Sequence, residues 1–291
     1  MEWVSEEFLR AIAAFMIGFI LSSSGSFAQL LTQNPLASPS TLGIQAIALL
    51  SLILGFLIES FFEIGDYVFI GLILFLITST LFFWLVFGEK KFESSFFNKL
   101  IIYGIGINLL IGAIYSLLQF VLMNMGVQFP SELWFGSLKF VQWREFFILL
   151  VIFIPFFLMG LFKSKDLRLF MVGREFALNF KRNFNHLEKL IFYVMLISVG
   201  VITVLFGVFS FIGLIFPHLL RSIRFFKKDI HHEVMYGGVL SGIVFLILDQ
   251  VCYHFPISGA EIPVGMVISV LGPLIFLKVY LKSRASINSI Y

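Results

Sequence analysis

The chain has 291 residues, 59% of them apolar and only 13% charged, with a mean hydropathy of +1.01. Soluble chains carry about 25% charged residues, so this composition excludes an ordinary water-soluble domain. The net charge of +3 gives no ground for a nucleic-acid partner, and a single cysteine, Cys252, excludes an internal disulfide.

In chain order, the acidic start (Glu2, Glu6, Glu7) does not read as a secretory signal, which opens on a basic stretch. A helix crossing a bilayer needs about 20 mostly apolar residues. The sequence predicts nine such helices, near 8–31, 42–62, 66–88, 99–125, 144–162, 187–209, 211–226, 234–254 and 262–282. The seventh is short and carries Pro217, and Val208, Phe209 and Ser210 before it contain no strong breaker. The expected fold is therefore an all-α, polytopic integral membrane protein, a single transmembrane domain over 1–291.

Basic residues set the orientation. With the 163–186 connection in the cytoplasm, 17 of the 20 Lys and Arg fall on the inner side, and only Arg10, Lys139 and Arg144 lie outside. The N-terminus is then outside, and the outer connections are short and acidic, with Glu59, Glu63, Asp66, Glu132 and Glu145. The 163–186 stretch is the longest polar connection, with room for one or two short cytoplasmic helices.

Several chemistries are absent from the pattern. No GxxxxGK[ST] phosphate loop occurs, so ATP hydrolysis is not expected from this chain alone. No HExxH or zinc-spaced Cys/His set occurs, and His231 and His232 are adjacent and so do not share a helix face. No cofactor or metal is expected. Ser22, Ser23, Ser24, Gly25 and Ser26 lack a nearby base and suit close helix packing better than catalysis. Asp249, an acid within a span, reads either as a pathway group or as a side chain reaching interfacial water or a neighbouring helix.

Some residues dictate local shape. Pro217 cannot donate to the Gly213 carbonyl, so its helix must loosen within the membrane. Broken helices of this kind line pathways in transporters. Glu261 and Pro263 suit a first helical turn. Asn34-Pro35 and Ser38-Pro39 make a rigid, uncharged inner turn.

Five segments, in order, resemble the FecCD-type permease family of ABC importers for iron siderophores, haem and cobalamin. They are Gly25 to Gln29 with Asn34-Pro35-Leu36-Ala37-Ser38-Pro39; Trp134-Phe135-Gly136-Ser137-Leu138; Gly173-Arg174-Glu175-Phe176-Ala177; Phe211 to Arg221, containing Gly213, Pro217 and His218; and Glu261-Ile262-Pro263-Val264-Gly265 with Gly272-Pro273. The resemblance implies a ten-helix fold, here lacking the first helix. It implies a pair of permeases, homodimeric or heterodimeric, flanking a central path in the bacterial cytoplasmic membrane. Two ABC ATPase subunits would sit below and a periplasmic or lipoprotein substrate-binding protein above. It further implies that Gly173, Arg174, Glu175, Phe176, Ala177, Asn179 and Lys181 belong to coupling helices seated on the ATPase. Gln29, Asn34, Pro35, Gly213, Pro217, His218, Arg221, Asp249, Glu261, Pro263 and Gly265 become translocation-path or motif residues, and Arg10 a docking residue. Glu7, where a base often stands, Tyr253-His254 after the Asp, and Lys181, where glycine is common, depart from the pattern. The expected cargo is an iron(III)-siderophore or other iron chelate, the alternatives being haem or cobalamin. An ATP-independent carrier or channel and an intramembrane enzyme are the readings from other classes.

Overall fold

The computed structural model describes residues 2–63, 65–87, 96–126, 132–139, 141–162, 166–168, 184–222, 230–257 and 259–288. Ten helices carry the architecture: α1 (Glu2–Thr32), α2 (Ile44–Phe62), α3 (Tyr67–Phe87), α4 (Phe96–Asn124), α5 (Glu132–Phe135), α6 (Trp143–Phe162), α7 (Phe184–Phe206), α8 (Ile212–Ser222), α9 (Ile230–His254) and α10 (Val264–Asn288). Seven are long and apolar enough to cross a membrane, and α8 and α10 contribute shorter apolar stretches. Each of the nine predicted runs has its helix, and α5 is an additional single turn.

The arrangement is inside-out relative to a soluble protein only at its rim. Leu109, Phe120 and Met123 on α4 and Val151 on α6 are exposed, as hydrocarbon solvent permits. The centre is α1 and α7, buried along most of their lengths. Phe19 of α1 lies among Phe153, Phe156 and Phe157 of α6, with ring centroids 5.4–6.5 Å apart.

The broadest helix contact joins α1 to α9 antiparallel. It is a seam of small residues, which lets backbones approach where no hydrophobic force drives helices together. A side chain on Gly18 would meet Gly242 and Phe245, and one on Gly242 would meet Phe15. Ser241 Oγ donates to Ser22 Oγ at 2.8 Å, and Ser23 Oγ donates to the Val234 carbonyl at 2.8 Å. The Ser22–Ser26 run is thus helix-packing surface.

Cross-chain contacts respect the predicted alternation. The outer Arg144 pairs with Asp66 at 2.6 Å and with Glu145. The inner Lys189 donates to the Phe87 carbonyl at 3.3 Å. Each of these pairs joins two segments that the sequence assigns to one side.

The sixth predicted helix is the main correction. It ends at Phe206 rather than 209, because Gly207 (φ 85) and Phe211 (φ 66) turn the backbone left-handed. α8 has 11 residues, about 16 Å at 1.5 Å per residue. That is roughly half of a 30 Å hydrocarbon core, so the 207–211 break lies at membrane depth.

Candidate functional site

Irregular backbone inside a membrane needs partners from the protein, and the break at 207–211 has them. The Ser137 amide donates to the Phe206 carbonyl at 2.8 Å, and the Val208 amide donates to Leu133 at 3.2 Å. Gln45 Nε2 donates to the Phe209 carbonyl at 3.3 Å. The Gly265 amide, at the start of α10, donates to the Gly136 carbonyl at 3.0 Å. The Trp134 to Leu138 motif is therefore a re-entrant strap that completes the broken α7–α8 connection and receives α10. Tyr115 of α4 stacks on Trp134 with centroids 3.7 Å apart and planes 16° apart, fastening the strap to a fourth element.

Glycine is required where these backbones touch. A Cβ on Gly207 would strike the Leu133 carbonyl, and one on Gly265 the Phe135 carbonyl. Pro263 directly precedes α10, and Met266 N donates back to its carbonyl at 3.0 Å. Glu261 lies ahead of the first turn, not within it. It faces Arg10 instead of the helix amides.

The loosening expected at Pro217 is not seen: α8 runs as one helix through it, and the irregular backbone lies upstream at 207–211. The Gly213 carbonyl, which has no proline N–H to accept, lies against Gly25 of α1, where any Cβ would overlap it. A Cα–H of Gly25 is the donor available there, a weak but recurrent contact at helix interfaces. The two glycines of separate motifs thus explain each other.

Three polar groups gather at the inner end. Arg221 forks onto Glu233 with two 2.8 Å bonds, and Ser26 Oγ donates to the same carboxylate at 2.7 Å, tying α8, α9 and α1. Glu233 went unremarked in the sequence. Its signal was an acid at the start of an apolar helix, twelve residues after an arginine. His218 Nε2–H donates to the Pro35 carbonyl at 2.8 Å. Asn34 Oδ1 accepts from the Leu36 amide at 2.9 Å, closing the uncharged turn. Gln29 is 4% exposed, and neither end of its amide meets a hydrogen-bond partner among the described residues.

The outer cluster revises Arg10. Expected to face a partner's acids, it is 6% exposed and aimed inward. Its Nε and Nη2 donate to Asp249 at 2.7 and 2.8 Å, Nη1 pairs with Glu261, and the guanidinium lies 4.6 Å from the Tyr253 ring centre. Asp249, fully buried, thereby takes the neighbouring-helix alternative. Gly173, Arg174, Glu175, Phe176, Ala177, Asn179 and Lys181 lie outside the described residues. Among the described residues no group of three or more His, Cys, Asp or Glu converges on a metal-sized site.

A family model described as the FecCD transport family matches residues 4–282. The chain belongs to the FecCD transport family. FecCD membership makes it the membrane-spanning permease of an ABC importer, a transport subunit rather than an enzyme, multi-pass in the bacterial cytoplasmic membrane. It also implies ATPase partners and a second permease. Relatives of this FecCD chain include the hemin transport system permease protein HmuU of Yersinia pestis, 28% identical over 97% of this chain and 84% of the relative. The vitamin B12 import system permease protein BtuC of Photorhabdus laumondii is 25% identical over 95% and 81%. Among solved structures, an inward-facing metal-chelate type ABC transporter superposes with a TM-score of 0.78 at 21% identity, over 94% of this chain and 85% of that one. PsaBC from Streptococcus pneumoniae gives 0.55 at 15% identity. At these identities the two structures speak for the FecCD fold alone.

Proposed function

We propose that this FecCD permease carries an iron(III)-siderophore or another iron chelate inward, along a path between two permeases. The observation that carries the reading is the broken α7–α8 connection braced by the 133–138 strap, because such backbone is tolerated at membrane depth only beside protein or a water-lined cavity. The strap, α8 and the start of α10 are assigned to that path, with Gly213, Pro217, Pro263 and Gly265 shaping it. Haem is the second reading, favoured by the likeness to HmuU. Cobalamin is the third, favoured by BtuC.

A substrate-binding protein would dock on the outer face, with Arg10 shaping that face from within instead of pairing across it. Residues 173–181 would couple to the ATPases, and the exposed apolar flanks would face lipid. The deciding experiment is reconstitution of the complex in proteoliposomes with its ATPases and binding protein. Ferric siderophore should stimulate ATP hydrolysis and accumulate inside. Stimulation by haem or cyanocobalamin alone would reassign the cargo, and transport without ATP would sink the importer reading.

The same preparation tests coupling. Glu175→Arg should lower uptake on the order of tenfold or more, within the usual range of coupling energies, while membrane insertion and ATP hydrolysis persist. Unchanged uptake would remove Glu175 from the coupling role.

A further inference from the structure

The turn between α1 and α2 is held in two different ways. Residues 38–43 are clamped to α4: Asn108 Nδ2 donates to the Ser40 carbonyl at 2.6 Å, and Gly104 admits the backbone of Thr41 and Leu42. Residues 33–37 are closed by local bonds. The Asn34 amide donates to Thr32 Oγ1, the Leu36 amide to Asn34 Oδ1, and the Ala37 amide to the Asn34 carbonyl. Among the described residues, one hydrogen bond joins 33–37 to a distant part of the chain, and it comes from His218.

The imidazole has a second neighbour. Phe276 of α10 meets it edge-on, with centroids 5.3 Å apart at 67°. His218 follows Pro217, and Phe276 lies three residues after Pro273. Sharp helix bends concentrate at proline, so each ring sits within one turn of a point where its helix can bend. One side chain therefore joins two proline-bearing helices to a turn that, among the described residues, has no other distant hydrogen-bonded tether. An imidazole flanked by a packed ring has already lost its rotamer freedom, and the hydrogen bond costs less to keep.

We propose that His218 is a positioning residue for transport: it fixes the 33–37 turn to α8 and releases it when the inner end of α10 carries Phe276 off the imidazole. This rests on the permease reading, but its test measures the turn and not the cargo, so a wrong substrate class leaves it intact.

Ala37 is fully buried and serves as reporter. In inside-out vesicles holding the complete complex, Ala37→Cys in a Cys252→Ser background is labelled with a maleimide. His218→Phe keeps a ring against Phe276 but lacks the donor, and labelling should rise about fivefold, the effect of one net hydrogen bond. His218→Gln restores a donor and should return the rate towards that of His218. Phe276→Leu leaves the donor without its flank and should give a smaller rise. A Ser22→Cys reporter in the α1–α9 seam should stay slow throughout. An unchanged rate in His218→Phe, no recovery in His218→Gln, or equal acceleration at both reporters would overturn the proposal. Should His218→Phe fail to accumulate, Phe276→Leu decides: faster labelling at Ala37→Cys upholds it and an unchanged rate overturns it.

Discussion

Gly25→Val should leave almost no folded permease in the membrane. A Cβ at this position would lie 2.5 Å from the Gly213 carbonyl carbon and 2.6 Å from its Cα, and these are backbone atoms that no rotamer change can move. α8 cannot retreat easily. On its other face α10 packs closely, where a Cβ on Gly272 would meet Ile215 at 2.6 Å and Phe211 at 3.0 Å. Overpacking ordinarily costs about 1–3 kcal/mol, and more where backbone must shift. Here the shift would also displace the broken segment and its bonds to the strap. Gly106 and Gly112 of α4 supply the contrast, since a Cβ on either meets nothing within 4 Å. Gly106→Ala should be neutral or stabilising by up to about 1 kcal/mol from helix propensity. Thermal unfolding of the purified variants, followed by size-exclusion recovery, separates the cases. A Gly25→Val protein that melts like the parent would show that the α1–α8 contact is not as close as described.

Arg10→Ala should cost about 3–5 kcal/mol, the usual effect of leaving one member of a buried ion pair alone. Asp249 is fully buried and would lose both of its guanidinium donors, whereas Glu261 is partly exposed and can turn to water. The double variant Arg10→Leu, Asp249→Leu should recover most of the loss, because replacing both charges by apolar groups is often neutral. Melting temperatures of Arg10→Leu, Asp249→Leu and their double measure this directly. A double variant as unstable as the sum of the singles would mean that the cluster acts through geometry rather than charge.

Much of the frame was legible because a bilayer enforces simple rules. Hydrocarbon thickness fixes helix length, so the nine helical runs could be read from run length and hydropathy alone, and each has its helix. The break after Phe206 was not legible in the same way. Val208, Phe209 and Ser210 are as apolar or small as any helical run, and only Gly207 hints at the left-handed turn. What makes the break possible is the distant 133–138 strap, and a hydropathy profile carries no information about which segments pair. The inward pairing of Arg10, given a docking role by the family resemblance, was hidden for a related reason. An isolated base near an outer helix end looks solvent-facing, and its acid partners stand 239 and 251 positions later in the chain. The Ser22–Ser26 run was readable because small side chains mark a close helix approach whichever helix supplies the partner.

The α1–α9 seam also sets a schedule for synthesis. Arg10 enters the bilayer 239 residues before Asp249, about 12–48 s at 5–20 residues per second. Through that interval the guanidinium must snorkel to the outer headgroups, and α1 must wait beside lipid or the insertion machinery with its glycine and serine face uncovered. The helix at the centre of the finished permease is thus made long before the partner that locks it in place.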